Sequence, residues 1–266
     1  MLTNNQPDSV NKTLKQFYFI IGILLLSTLL IVLKRFMEPE MGRDSSFYLI
    51  LVKKWSNSGL TGVLEFWPAF WIPPLFLYLA NLLTYTGLSP ETAALVICMG
   101  CGILMPLISF AIANEIFHSS KISLTAALLT AVNPSIVDMS VQAQRDIPYL
   151  FAAGWCIFFL IAAMRRNKWY WWCAGGCIWG IAILIRFEML EFFPILGMYF
   201  IFAVWKNRKQ WFMYLRNIII FALCGVFVML TLLCTSGTEK VVLNGYKDRI
   251  TYHLKKLVIS NGGQQK

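Results

Sequence analysis

Eight apolar stretches divide the chain, at roughly 17–36, 72–88, 91–117, 122–138, 147–164, 169–186, 187–205 and 212–234. Most contain about 18 or more residues with few charges, enough to cross a hydrocarbon core about 30 Å thick as a helix. The stretch IPPLFLYLANLLTYTGL (72–88) differs from the others. It opens on Pro73-Pro74, carries Asn81 midway and is rich in Tyr, so it suits the headgroup zone or a re-entrant position better than a crossing. Basic clusters fall at 165–168 (RRNK) and 206–209 (KNRK), with Lys121 between two apolar runs. If all eight stretches crossed, both clusters would lie outside the cytoplasm, against the positive-inside rule. With 72–88 removed, seven spans remain, and the N-terminus, Lys121 and both clusters share the cytoplasmic side. The expected fold is therefore an all-α polytopic membrane protein with about seven transmembrane helices plus interfacial helices in a first outer loop. That transmembrane unit covers 1–234, with the outer loop at 37–71, and a polar tail fills 235–266.

Composition agrees: 58% hydrophobic and 14% charged residues, with a mean hydropathy of +0.63, depart far from the ~25% charged residues of soluble domains. The net charge of +10 sits in loop clusters, so it reads as topology and not as nucleic-acid binding. Lys12 and Lys15 precede FYFIIGILLLSTLLIVL. This run is too long for a cleaved signal peptide and has no small-residue cleavage site after it. It reads as an uncleaved first span with a cytoplasmic N-terminus in a multi-pass plasma-membrane protein. The seven cysteines mostly lie within apolar runs as small buried hydrophobes. Cys98 and Cys101 form a C-x-x-C without His neighbours. No nucleotide-binding glycine pattern, H-E-x-x-H or G-x-S-x-G occurs, and His118 and His253 stand alone.

Seven spans bring three acid–base pairs to the outer side: Arg43-Asp44, Arg145-Asp146 and Arg186-Phe187-Glu188. Ionisable groups at membrane depth are costly, and they tend to pair or to line a functional cavity. Each pair alone also fits the end of a span, and Asp44 fits a helix cap, favoured there by the helix dipole. SSFYLILVKKW, with Phe47, Leu51 and Trp55 near helical spacing, suits an amphipathic helix lying on the membrane.

The order of these features carries a resemblance. GRDSSFYL follows the first span, and WIPPLFLYLANLLTYTGLSPETAALV comes next. AVNPSIVDMSVQAQRDIPYLF and ILIRFEMLEFFP complete the series. From about 15 to 210 the chain resembles the GT-C superfamily of polyprenyl-phosphate-sugar-dependent glycosyltransferases, nearest to protein O-mannosyltransferases and lipid A aminoarabinose transferases. The resemblance implies an inverting transfer of a sugar from a polyprenyl-phosphate donor to an acceptor outside the cytoplasm. It implies Asp44 as the base and Asp146 as a group that orients the acceptor or a metal. Arg145 and Arg186 then face the donor phosphate, with Glu188 and Arg43 in support. Many family members carry Asp-Glu where this chain has Asp44-Ser45, so a divalent metal is compatible but not indicated, and the cofactor stays open. Members usually have about eleven to fourteen spans, so a chain with about seven is expected to be a fragment, a truncated product or a minimal relative. The competing class is a transporter or lipid-handling subunit without chemistry. Against it, the charges gather at one face and no internal repeat is present.

Overall fold

A computed structural model describes residues 6–66, 73–206 and 208–238. Trp71 of the WIPPL stretch, and the tail beyond 238 with His253, lie outside the described residues. Ten α-helices and no strand occur among the described residues: α1 (Gln6–Met37), α2 (Arg43–Phe66), α3 (Leu75–Thr84), α4 (Pro90–Phe117), α5 (Ser120–Ala131), α6 (Pro134–Ser140), α7 (Asp146–Arg166), α8 (Trp169–Ile185), α9 (Phe192–Lys206) and α10 (Trp211–Ser236). A short 3-10 turn, Phe187–Glu191, links α8 to α9. The protein is an all-α polytopic membrane protein, as its apolar pattern requires.

Among the described residues, five helices are long and apolar enough to cross a membrane by themselves: α1, α4, α7, the turn-plus-α9 unit and α10. A sixth apolar stretch is bent. The run 122–138 does not form one straight helix; α5 and α6 meet at Asn133-Pro134 with a 53° bend. The cause is local chemistry. Pro134 cannot donate within a helix, and Asn133 Oδ1 instead accepts from the backbone N–H groups of Ser135 (2.9 Å) and Ile136 (3.3 Å), starting a new helix. The 17-residue α8 is about 26 Å long at ~1.5 Å per residue, just under the core thickness. By the same rule the 10-residue α3 is about 15 Å long, half of what a crossing needs.

Side-chain contacts fix the direction of each helix. Thr130 Oγ1 donates to Ser109 Oγ at 2.6 Å, and Cys98 Sγ contacts the Gln144 carbonyl at 3.1 Å, so the chain from 120 to 144 climbs antiparallel to α4. Arg166 meets Glu115 at 2.6 Å, which sets α7 parallel to α4. Asn217 Nδ2 donates to Asn167 Oδ1 at 3.2 Å, so α10 starts at the end where α7 finishes. Lys34 reaches Asp138 at 3.2 Å, placing the end of α1 beside α6. One end of the bundle therefore gathers Lys121, Arg165, Arg166, Lys168 and Arg208. The other gathers Lys34, Asp138, Arg145, Asp146, Arg186 and Glu188.

Small residues let the last helices approach. A Cβ at Gly176 would strike the Phe221 carbonyl, and one at Gly180 the Gly225 carbonyl. Such small-residue seams replace the hydrophobic drive that lipid removes between helices. Trp172, Trp179 and Phe221 fill the adjoining core, and Trp179 Nε1 donates to the Met189 carbonyl at 3.0 Å, tying the 3-10 turn to α8.

Candidate active site

The two Arg-Asp stretches, a hundred residues apart in sequence, dock on each other. Gln142 Oε1 accepts from the backbone N–H of Gly42 at 2.9 Å and from Ser45 Oγ at 2.8 Å. Gln144 Nε2 donates to Ser45 Oγ at 3.2 Å. The docking is tight: Ser45 and Ala143 are fully buried. A backbone donor just ahead of a helix has no intrahelical acceptor, and the glutamine amide supplies one from across the bundle.

Asp44 stands in the first turn of α2 and is exposed. One turn further, Tyr48 is buried and lies edge-on to Phe76 at 5.9 Å. The guanidinium of Arg145 sits over its ring at 5.8 Å. Burial pushes the Tyr48 phenol up from its usual pKa, against the opposing pull of Arg145 and Arg186, so the ring stays neutral.

Arg186 caps α8 in an extended conformation. Its Nη1 pairs with Asp146 Oδ1, and its Nε lies 3.3 Å from Glu188 Oε2 without a well-directed hydrogen bond. Its guanidinium also lies over the Tyr149 ring at 5.5 Å. Burial lowers the Arg186 pKa, but the carboxylates of Asp146 and Glu188 outweigh it and the net shift is upward. This cation is permanent.

The partners differ from those that sequence adjacency suggests. Asp146 pairs with Arg186, not with its neighbour Arg145, because the start of α7 lies beside the end of α8. Arg145 rests on Tyr48, and no ion pair to a carboxylate accompanies that contact among the described residues. Arg43 is exposed at the start of α2. The basic cluster at the opposite end is also more than loop charge. Arg166 forks onto Glu115 (3.2 and 2.6 Å) and covers the Trp171 ring at 4.7 Å. Arg165 contacts the Glu115 carbonyl and His118.

Ser45, Tyr48, Gln142, Gln144 and Tyr149 were not singled out by the sequence. An aromatic one turn after each aspartate (Asp44 to Tyr48, Asp146 to Tyr149) was the available signal. The glutamine clamp had none, because it depends on a contact between distant segments.

Residues 72–233 match the family of dolichyl-phosphate-mannose-protein mannosyltransferases. That is more than half of the chain. The chain belongs to this mannosyltransferase family. No curated protein gives a significant match. The family is one of GT-C type glycosyltransferases, which use a polyprenyl-phosphate-linked sugar in a membrane. The matched region of the chain contains Arg145, Asp146, Arg186 and Glu188. It begins after Arg43 and Asp44, which join the others through the glutamine clamp.

Gln142→Ala removes two hydrogen bonds of about 1 kcal/mol each. Amide hydrogen exchange over residues 42–48 is expected to accelerate about 10–30-fold, while exchange in α8 and α10 stays unchanged. Equal protection over 42–48 in the variant would disprove the clamp.

Proposed function

We propose that this mannosyltransferase-family protein moves a sugar from a polyprenyl-phosphate donor to a hydroxyl acceptor with inversion at the anomeric carbon, at the end carrying Asp44, Asp146 and Arg186. The observation that supports this reading most directly is the joining of Asp44, Arg145 and Arg186 into one polar cluster at the rim of an apolar bundle. In the reaction, the acceptor oxygen attacks the anomeric carbon as the bond from that carbon to the phosphate oxygen breaks. The acceptor proton passes to the Asp44 carboxylate, which is exposed and carries no ion pair among the described residues, as a general base requires. The leaving polyprenyl phosphate gains negative charge, which Arg145 and Arg186 stabilise at an interface where water is partly excluded. Asp146 and Glu188 hold Arg186 in place, so Asp146 acts through the arginine. The lipid chain lies along the apolar helix faces below.

We infer from the positive-inside rule that this end faces away from the cytoplasm, because Lys121, Arg165, Arg166, Lys168 and Arg208 crowd the opposite end. In a background without native cysteines, Asp44→Cys is expected to react with an impermeant thiol reagent added to intact cells, and Lys168→Cys to be protected. The reverse pattern would invert the orientation.

Membranes containing the protein, supplied with radiolabelled polyprenyl-phosphate mannose, are expected to transfer label to an acceptor. Asp44→Asn keeps the shape of the side chain and removes the base, so turnover is expected to fall by about 10²–10⁴-fold with donor binding retained. Donor binding without transfer by the unsubstituted protein would support a lipid-handling role instead.

Arg holds phosphate oxygens in a planar fork, whereas Lys offers a point charge. Arg145→Lys is therefore expected to weaken binding of a polyprenyl phosphate about ten- to a hundredfold, the loss of one hydrogen bond to a charged group at roughly 1.5–3 kcal/mol. Arg208→Lys, exposed at the opposite end, is the control and should leave affinity unchanged. Unchanged affinity in Arg145→Lys would leave Arg145 as an interfacial anchor.

A further inference from the structure

The close seam between α8 and α10 has a chemical consequence away from the polar cluster. Cys173 and Cys177 sit one turn apart on α8, and Cys224 faces them from α10. Their three Sγ atoms lie within 4.8 Å of one another, and the Cys173 and Cys224 sulfurs are 3.1 Å apart. All three residues are half-buried. Among the described residues, this is the one group of three side chains able to ligate a metal together. Its α8 members lie about 14–20 Å along the helix from Arg186, at ~1.5 Å per residue, so the transfer chemistry does not use it.

We propose that Cys173, Cys177 and Cys224 form a three-sulfur site for a soft monovalent cation, Cu(I). The donor set is all sulfur, which selects soft metals over the oxygen-seeking Mg²⁺ and Ca²⁺. Its donor number also matters. Structural zinc is almost always four-coordinate, whereas these helices supply three sulfurs, with no fourth Cys, His, Asp or Glu in the group among the described residues. With metal–sulfur bonds of about 2.3 Å, a planar trigonal centre puts its sulfurs about 4 Å apart. This lies within the observed spread, and the Cys173–Cys224 pair opens by about 1 Å through side-chain rotation. Each thiolate that forms releases one proton to solvent, the copper remains Cu(I), and nothing is oxidised. The bound ion cross-links α8 to α10 and stabilises the folded bundle by mass action.

The test uses the full chain in detergent, reduced and kept anaerobic, titrated with Cu(I) against a chromogenic Cu(I) chelator. One ion per chain is expected, with X-ray absorption reporting three sulfur neighbours. Cys173→Ser, Cys177→Ser and Cys224→Ser should each weaken binding at least as much as the about 10–100-fold that follows loss of an outer-shell partner. Cys98→Ser and Cys101→Ser should leave it unchanged. Ag(I) should raise the melting temperature of the native chain and not that of the triple serine variant. Equal affinity in the triple variant overturns the proposal, as does a sulfur coordination number other than three in the native chain. A Cys173–Cys224 disulfide in the unreduced protein, with no Cu(I) held against the chelator after reduction, also overturns it. The absorption measurement needs no substitution, so it decides even if a serine variant fails to fold.

Discussion

A guanidinium at the edge of a bilayer must be matched by negative charge, and Arg186 is matched twice. Its partners come from two directions: Asp146 opens α7, and Glu188 lies in the turn that follows α8. Side chains of both Arg186 and Asp146 are about 70% removed from solvent, with exposures of 30% and 28%. The pair is therefore screened less than a surface salt bridge, whose worth is typically 0.2–1 kcal/mol. Removing either partner would leave an uncompensated charge in a partly dry place. The alignment of α7, α8 and the 3-10 turn at this end follows from that requirement. The Trp179 bond to the Met189 carbonyl then holds the turn from below.

The second organising feature is the bend between α5 and α6. A straight helix over 122–138 would carry Gln142 and Gln144 onward along its own axis. The stop and restart at Asn133-Pro134 gives the chain room to turn at 141–145 and meet the start of α2. Through that turn, a residue outside the mannosyltransferase match, Asp44, becomes a neighbour of residues inside it. Tyr48 under Arg145 extends the same contact by one helical turn.

The two ends of the bundle use charge differently. At one, acids and bases are paired across helices, and Asp44 and Arg145 have no ion-pair partner among the described residues. At the other, Glu115, Arg165, Arg166 and His118 lock the ends of α4 and α7 together. Positive charge dominates there in number, so the same residues serve both topology and packing. Between the ends, glycines and cysteines bring α8 against α10 at backbone distance.

The sequence alone determined the class of the protein, an all-α polytopic membrane protein. Run length fixes which segments can cross. That 72–88 forms only a short helix was legible in Pro73-Pro74, which precede its start at Leu75, because proline in a helix interior kinks or breaks it locally. The candidate residues Asp44, Arg145, Asp146, Arg186 and Glu188 were legible for the same reason, since charge at the mouth of an apolar run is costly wherever it occurs. Their pairing was not. That Arg186 meets Asp146 depends on α7 and α8 lying side by side, that Gln142 caps Gly42 depends on a bend nine residues earlier, and that Cys224 meets Cys173 depends on three glycines thinning two helices. Each is a contact between segments distant in sequence, whose geometry is set by packing and not by any local pattern of residues.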